Sequence, residues 1–112
     1  MSKHVVVALT NPIRGREADY NRWFERAHIP EILSVPGFLS ARRFEVADNQ
    51  IGPTPVPYKY LTVYEVETPD LGATLVQLGK TVQSGTKTDS SDVDRRAIWV
   101  YAPMSDNFVA GG

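Results

Sequence analysis

Apolar and polar positions repeat along this chain in two periods, and each change of period marks an element. His4 to Thr10 is an apolar, β-branched run that predicts a buried strand. Asn11-Pro12 closes it. After Arg14-Gly15-Arg16 the period lengthens. Tyr20, Phe24 and Ala27 stand at i, i+4 and i+7 with Trp23 beside them, so a helix has one apolar face. Arg16, Glu17, Arg22, Glu25 and Arg26 fall mostly elsewhere and read as its solvated surface. Pro30 offers no N–H and crowds the carbonyl of Arg26. A boundary or kink near His28-Ile29 follows, with Pro30 opening a short second turn through Leu33.

Val35-Pro36-Gly37 is a turn signal. Phe38 to Ala47 reads as a second strand, with Phe38, Ser40, Arg42, Phe44 and Val46 on one face. Asp48 to Pro57 holds Pro53, Pro55 and Pro57 at alternate positions and reads as a loop of polyproline character. Tyr58 to Glu67 is the third strand, with Leu61 and Val63 facing one way and Tyr58, Tyr60, Thr62 and Tyr64 the other. Thr68-Pro69-Asp70 is a helix start, with the Thr68 hydroxyl as cap. Leu71, Leu75, Leu78 and Val82 form the apolar stripe of the second helix. Gly85 to Asp94 is polar. Arg96 to Pro103 is the fourth strand, with Ala97, Trp99 and Tyr101 opposite Ile98, Val100 and Ala102. Residues 1–104 form the expected domain and 105–112 a tail.

The order β-α-β-β-α-β predicts an α+β fold, a ferredoxin-like sandwich of four antiparallel strands with two helices on one face. The other face is then expected to carry Phe44, Tyr60, Tyr64, Trp99 and Tyr101. A monomer rarely leaves so much apolar surface in water, so a homodimer packed sheet on sheet is expected.

Composition narrows the partners. The chain has 112 residues, 42% hydrophobic and 22% charged, which fits one folded domain. A net charge of −1 carries no basic surplus for nucleic acid. The absence of cysteine excludes disulfides and thiolate metal sites. The apolar run from Val5 to Leu9 is too short for a signal peptide or a membrane span, and a cytoplasmic protein without membrane contact is expected.

The run Tyr20-x-x-Trp23-Phe24-x-x-x-His28-Ile29-Pro30-Glu31-Ile32-Leu33, followed by Val35-Pro36-Gly37-Phe38 and Ala41-x-Arg43-Phe44, resembles the EthD-like members of the dimeric α+β barrel superfamily. The match covers residues from about Asn11 to Phe44. It implies a dimeric α+β barrel with a pocket in each protomer between sheet and helices, and with His28 at or near it. That superfamily includes isomerases, cyclases, dehydratases, cofactor-free monooxygenases and haem enzymes, so the resemblance implies a site more firmly than a reaction.

His28 is the first chemical candidate, because a neutral imidazole exchanges protons near neutral pH. The competing reading has it cap carbonyls freed by Pro30, or simply pack there. Trp23 and Phe24 are assigned mainly to packing. The catalytic candidates are His28 with a tyrosine, Tyr20, Tyr60 or Tyr64, to hold an oxyanion. The substrate-binding set is Arg42, Phe44, Tyr64, Trp99 and Tyr101, which would line a cavity for a planar apolar molecule or fill the dimer interface. Glu31 either orients the imidazole or is a surface acid. Asp89, Asp92 and Asp94 lack calcium-loop spacing, and no nucleotide fingerprint occurs, so no metal or other cofactor is expected. The expected function is acid/base chemistry of the lyase, isomerase or cyclase type on a small, largely apolar carbonyl-bearing or phenolic substrate. The alternatives are a cofactor-free monooxygenase acting on a phenol and a non-catalytic, ligand-binding or stress-related dimer.

Overall fold

A computed structural model describes residues 1–111; Gly112, the end of the expected tail, lies outside them. Strands β1 (Ser2–Thr10), β2 (Phe38–Glu45), β3 (Tyr60–Thr68) and β4 (Ala97–Tyr101) form one antiparallel sheet in the order β2-β3-β1-β4. The helices are α1 (Glu17–Trp23), α2 (Ile29–Leu33) and α3 (Leu71–Ser84). They cover the sheet face that bears Val6, Ala8, Thr62, Tyr64 and Val66. This is the ferredoxin-like sandwich expected from the sequence. Among the described residues, no helix is long and apolar enough to cross a membrane.

Pro30 does not stop the first helix. Instead α1 passes through a π-helical turn, Phe24–His28, into α2. The Ile29 N–H donates to the Phe24 carbonyl, five residues back. One extra residue in the turn absorbs the donor that Pro30 lacks, which is how a π-bulge sustains a helix.

The sheet alternation holds, with one correction. Phe38 pairs with Val66, but Ser40 pairs with Glu65, so a bulge at Leu39 changes the parity of β2. Phe38 therefore enters the core, 7% exposed, while Ser40, Arg42 and Phe44 point away from the helices. Tyr60 and Tyr64, expected beside Phe44 on the outer face, pair with Thr10 and Val6 and lie beneath the helices. Phe44, Trp99 and Tyr101 do stand on the outer face, 41%, 59% and 57% exposed. The chain ends also shift. The cap of α3 is Asp70, whose carboxylate accepts the Ala73 N–H at 3.1 Å, rather than Thr68. The Thr68 hydroxyl contacts Thr74 instead, which seals the helix against the strand end. Gly37 has φ +103°, and a Cβ there would lie 3.3 Å from the Glu67 carbonyl, so the turn into β2 needs glycine.

Arg43 holds α1 to β2. Its side chain is 13% exposed and its guanidinium lies over Phe24, Tyr60 and Tyr20, 4.5, 5.0 and 5.9 Å from the ring centres. It donates to Glu25 at 2.7 Å and to Asn21 at 2.8 Å. Asn21 in turn donates to the Tyr60 hydroxyl at 3.1 Å. Arg43→Ala is expected to cost about 2 kcal/mol, through lost cation–π contact and stranded acceptors. Arg43→Lys should recover little, because an ammonium cannot span both acceptors. Urea unfolding at fixed protein concentration measures both; a loss under about 0.5 kcal/mol would remove Arg43 from the framework.

Candidate functional site

The layer between helices and sheet divides into a filled half and an open half. The filled half packs Tyr20, Phe24 and Tyr60, with Tyr20 and Tyr60 stacked at 5.5 Å. The open half is a cavity of about 330 Å³, within the size range of small-molecule sites. Its floor is β1, β3 and β4 through Val6, Tyr64 and Ile98, and its walls are Trp23, His28 and Leu78. On the α3 side the cavity is bordered by Leu78, Thr81 and Val82. Thr81, which lines the cavity one turn after Leu78, leaves room that a leucine would fill.

The segment 85–96 closes one side, held there by hydrogen bonds and an ion pair. Glu31 accepts the Thr86 N–H with both carboxylate oxygens, at 3.1 and 3.0 Å. The Trp23 indole N–H donates to the Thr86 carbonyl at 2.8 Å. The Ile13 N–H donates to the Ser90 carbonyl at 2.6 Å, and Arg16 pairs with Asp89 at 2.9 Å. Glu31 is thus a staple for this segment and does not hydrogen-bond the imidazole.

His28 owes its position to the π-turn. Residues five apart in an α-helix lie about 140° apart around the axis, at 100° per residue. The extra residue per turn instead brings Trp23 and His28 to one face, with ring centres 4.5 Å apart and planes 24° apart. Phe24 meets the same imidazole edge-on at 4.9 Å. Among the described residues His28 has no hydrogen-bond partner, and its side chain lines the cavity. It therefore does not cap the carbonyls near Pro30. Burial is the main cause that pushes its pKa from 6.5 down to about 4; Glu31 raises it and Arg96 lowers it. At neutral pH the imidazole is uncharged.

The tyrosines separate by what their hydroxyls already do. Tyr20 donates to the Thr10 hydroxyl, and Tyr60 accepts from Asn21. Tyr60 packs in the filled half with Tyr20 and Phe24 and does not line the cavity. The Tyr64 hydroxyl is buried without a partner among the described residues. Of the buried polar atoms left so, it alone belongs to a cavity-lining residue. Burial pushes the phenol up, so it keeps its proton and serves as a donor.

The structure brings His28, Tyr20 and Tyr64 together and leaves the other expected residues elsewhere. Arg42 and Phe44 lie on the far face of the sheet, with the guanidinium 5.2 Å from the Phe44 ring. Trp99 and Tyr101 share that face, paired with Val7 and Val5. None of these four lines the cavity, because strand parity directs them away from the helices. Trp23, assigned mainly to packing, is a cavity wall. Arg96 also lines the cavity. Its signal was legible, since it has the parity of Ile98 and Val100 at the mouth of β4.

No family model matches this chain, and no curated protein matches it. Solved structures do. The heme-degrader MhuD from Mycobacterium tuberculosis, with two hemes bound in its active site, superposes with a TM-score of 0.60 at 14% identity, over 94% of this chain and 99% of that one. SnoaB, a cofactor-independent oxygenase from Streptomyces nogalater, gives 0.59 at 12%, over 95% and 97%. An ethyl tert-butyl ether degradation (EthD) family protein from Bacillus halodurans gives 0.59 at 11%, over 93% and 100%. At these identities the likeness is one of fold. The chain has the ferredoxin-like α+β fold of these proteins, in keeping with the resemblance carried by residues Asn11 to Phe44.

The donor set does not fit a haem iron. A ligating histidine fixes its second nitrogen by donating to a carbonyl or carboxylate. His28 has no such partner among the described residues, and Trp23 covers one face of its ring. Among the described residues, no group of three or more histidines and carboxylates gathers to hold a metal ion.

The buried neutral imidazole makes a pH prediction. The unfolded chain takes up this proton as pH falls through 6.5, whereas the folded chain waits until about 4. The unfolded state therefore holds more protons in that window, and stability falls as pH drops through it, by about 3 kcal/mol at most. His28→Leu should flatten that part of the profile. Parallel unfolding curves for the two proteins between pH 6.5 and 4 would contradict the burial of His28.

Proposed function

We propose that the protein is a small-molecule enzyme that takes a proton from a small, largely apolar, carbonyl-bearing or phenolic substrate bound between sheet and helices. The observation that carries this reading is the pairing, in one apolar cavity, of a neutral, unpartnered imidazole with a tyrosine whose buried hydroxyl lacks an acceptor. His28 accepts the proton, and the Tyr64 hydroxyl donates to the oxygen on which negative charge develops. An imidazole held near 4 is a weak base in the empty site. The substrate must then present an acidic proton, beside a carbonyl or on a phenol. As the anion forms, its charge raises the basicity of His28 and favours the transfer.

Proton removal of this kind starts isomerisation, elimination and cyclisation alike. A second reading is cofactor-free oxygenation, in which the phenolate made the same way gives electrons to dioxygen. The shared fold with a cofactor-independent oxygenase supports it. Oxygen uptake with a phenol such as 1-naphthol separates the two readings.

Deuterium wash-in at the acidic carbon of 2-tetralone, followed by NMR, tests the common step. His28→Gln is expected to slow it by about 100-fold or more. Tyr64→Phe should slow it by a similar order, without loss of stability, since an unpaired hydroxyl is removed. The acid limb of the rate profile should lie nearer pH 4 than 6.5. Exchange at the wild-type rate in His28→Gln would sink the proposal.

A homodimer is proposed on separate grounds. Val5, Val7, Leu9, Leu61 and Val63 join Phe44, Trp99 and Tyr101 on one uncovered sheet face. A continuous apolar face of this kind calls for cover, and a second copy offers the same surface about a twofold axis. Light scattering at micromolar concentration should give twice the chain mass. Trp99→Glu should reduce it to one, with the circular dichroism spectrum unchanged. A single chain mass for the unaltered protein would refute the dimer.

A further inference from the structure

We propose that the cavity selects a planar, largely apolar monocarboxylate, whose anion pairs with the Arg96 guanidinium at the mouth while its body lies against Trp23 and Tyr64. This rests on the cavity being a substrate site, as proposed above, and narrows what enters it. Three fully charged side chains line the cavity: Glu31, Lys87 and Arg96. Two are already engaged by the backbone. Glu31 accepts the Thr86 N–H. The Lys87 ammonium donates to the Val82 and Gln83 carbonyls at 3.1 and 2.6 Å, at the end of α3 where a cation belongs.

Arg96 is different. The ion pairs among the described residues use Arg16, Arg22 and Arg43. Its neighbour Arg95 turns away, toward the Pro57 carbonyl. Arg96 precedes Ala97 and has the parity of Ile98 and Val100, which pair with Ala8 and Val6 on the helix-covered face. Its charge is felt by both His28 and Tyr20. An exposed arginine is ordinary, but one with no partner, on the inward parity of a strand, at the rim of an aromatic cavity, is placed to meet an anion.

The charge count limits that anion. A single guanidinium matches one carboxylate through two parallel N–H donors. A phosphate dianion would call on a second cation, and Lys87 is committed to carbonyls. Among the described residues the cavity offers no other cation. The carboxylate therefore stays at the rim, and the carbonyl or phenol at the other end of the ligand reaches His28.

Two probes of matched shape decide the question: 1-naphthoate and its neutral amide, 1-naphthamide, each titrated calorimetrically into the full chain. Naphthoate is expected to bind about five- to tenfold more tightly. Arg96→Gln should abolish that gap and leave naphthamide affinity unchanged. Should the variant fail to fold, added salt serves instead: naphthoate binding to the unaltered protein must weaken with ionic strength while naphthamide binding does not. Equal affinities in the unaltered protein, or a gap that survives Arg96→Gln, overturn the carboxylate and leave the cavity reading in place. Failure of both probes to bind at millimolar concentration removes the site itself.

Discussion

The missing N–H of Pro30 is the constraint from which the site follows. A proline in a helix interior leaves a carbonyl without its donor and crowds it. This chain answers with a π-turn, Phe24–His28, that lets the helix continue instead of ending. The extra residue changes which side chains share a face. Trp23 and His28, nearly opposed in a regular helix, become stacked. The same stack fixes the indole so that its N–H reaches the Thr86 carbonyl. One absent donor thus sets the imidazole, one cavity wall and the anchoring of the segment that closes the cavity.

The helix–sheet layer supports this by being filled unevenly. Around Arg43 the packing is dense: three aromatic rings, two acceptors and a buried guanidinium tie α1 to the sheet. Ile29 packs against both this cluster and the main core, joining the halves through α2. Toward α3 the side chains shorten and the layer opens. A rigid half beside an open half is what a binding site needs, since groups held by packing keep their geometry when a ligand enters.

Much of this fold could be read from the chain, because alternation and helical spacing report burial directly. β1, β3, β4 and both helical stretches came from apolar period alone. What failed was parity, wherever one residue was added. The bulge at Leu39 moved Phe38 to the core, and nothing in Phe38-Leu39-Ser40 marks it. The third strand was read with Tyr60 and Tyr64 on one face, correctly, but that face was assigned to the outside. Leu61 and Val63 look as apolar as the tyrosines, and only the sheet order shows which side the helices cover. His28 was legible from its place before Pro30. Its stack with Trp23 was not, because the two rings share a face only through the π-turn.

The sheet therefore carries two apolar faces with different fates. Around the cavity most polar groups are committed: Tyr20 to Thr10, Glu31 to Thr86 and Lys87 to the end of α3. The Tyr64 hydroxyl and the His28 ring stand out against that background, one a donor without an acceptor and the other a base without a proton. Leaving such groups unpaired in an apolar setting costs stability. Leu or Phe at either position would pack the cavity better and bind nothing. The arrangement makes physical sense where a ligand completes it, with an oxygen for Tyr64 and an acidic proton for His28. On the outer face the Arg42 guanidinium lies against Phe44, while Lys3, Glu65 and Glu67 carry charge toward the end where Tyr101 stands. On the reading proposed above, that surface is the interface between two copies and the cavity beneath the helices is where the proton moves.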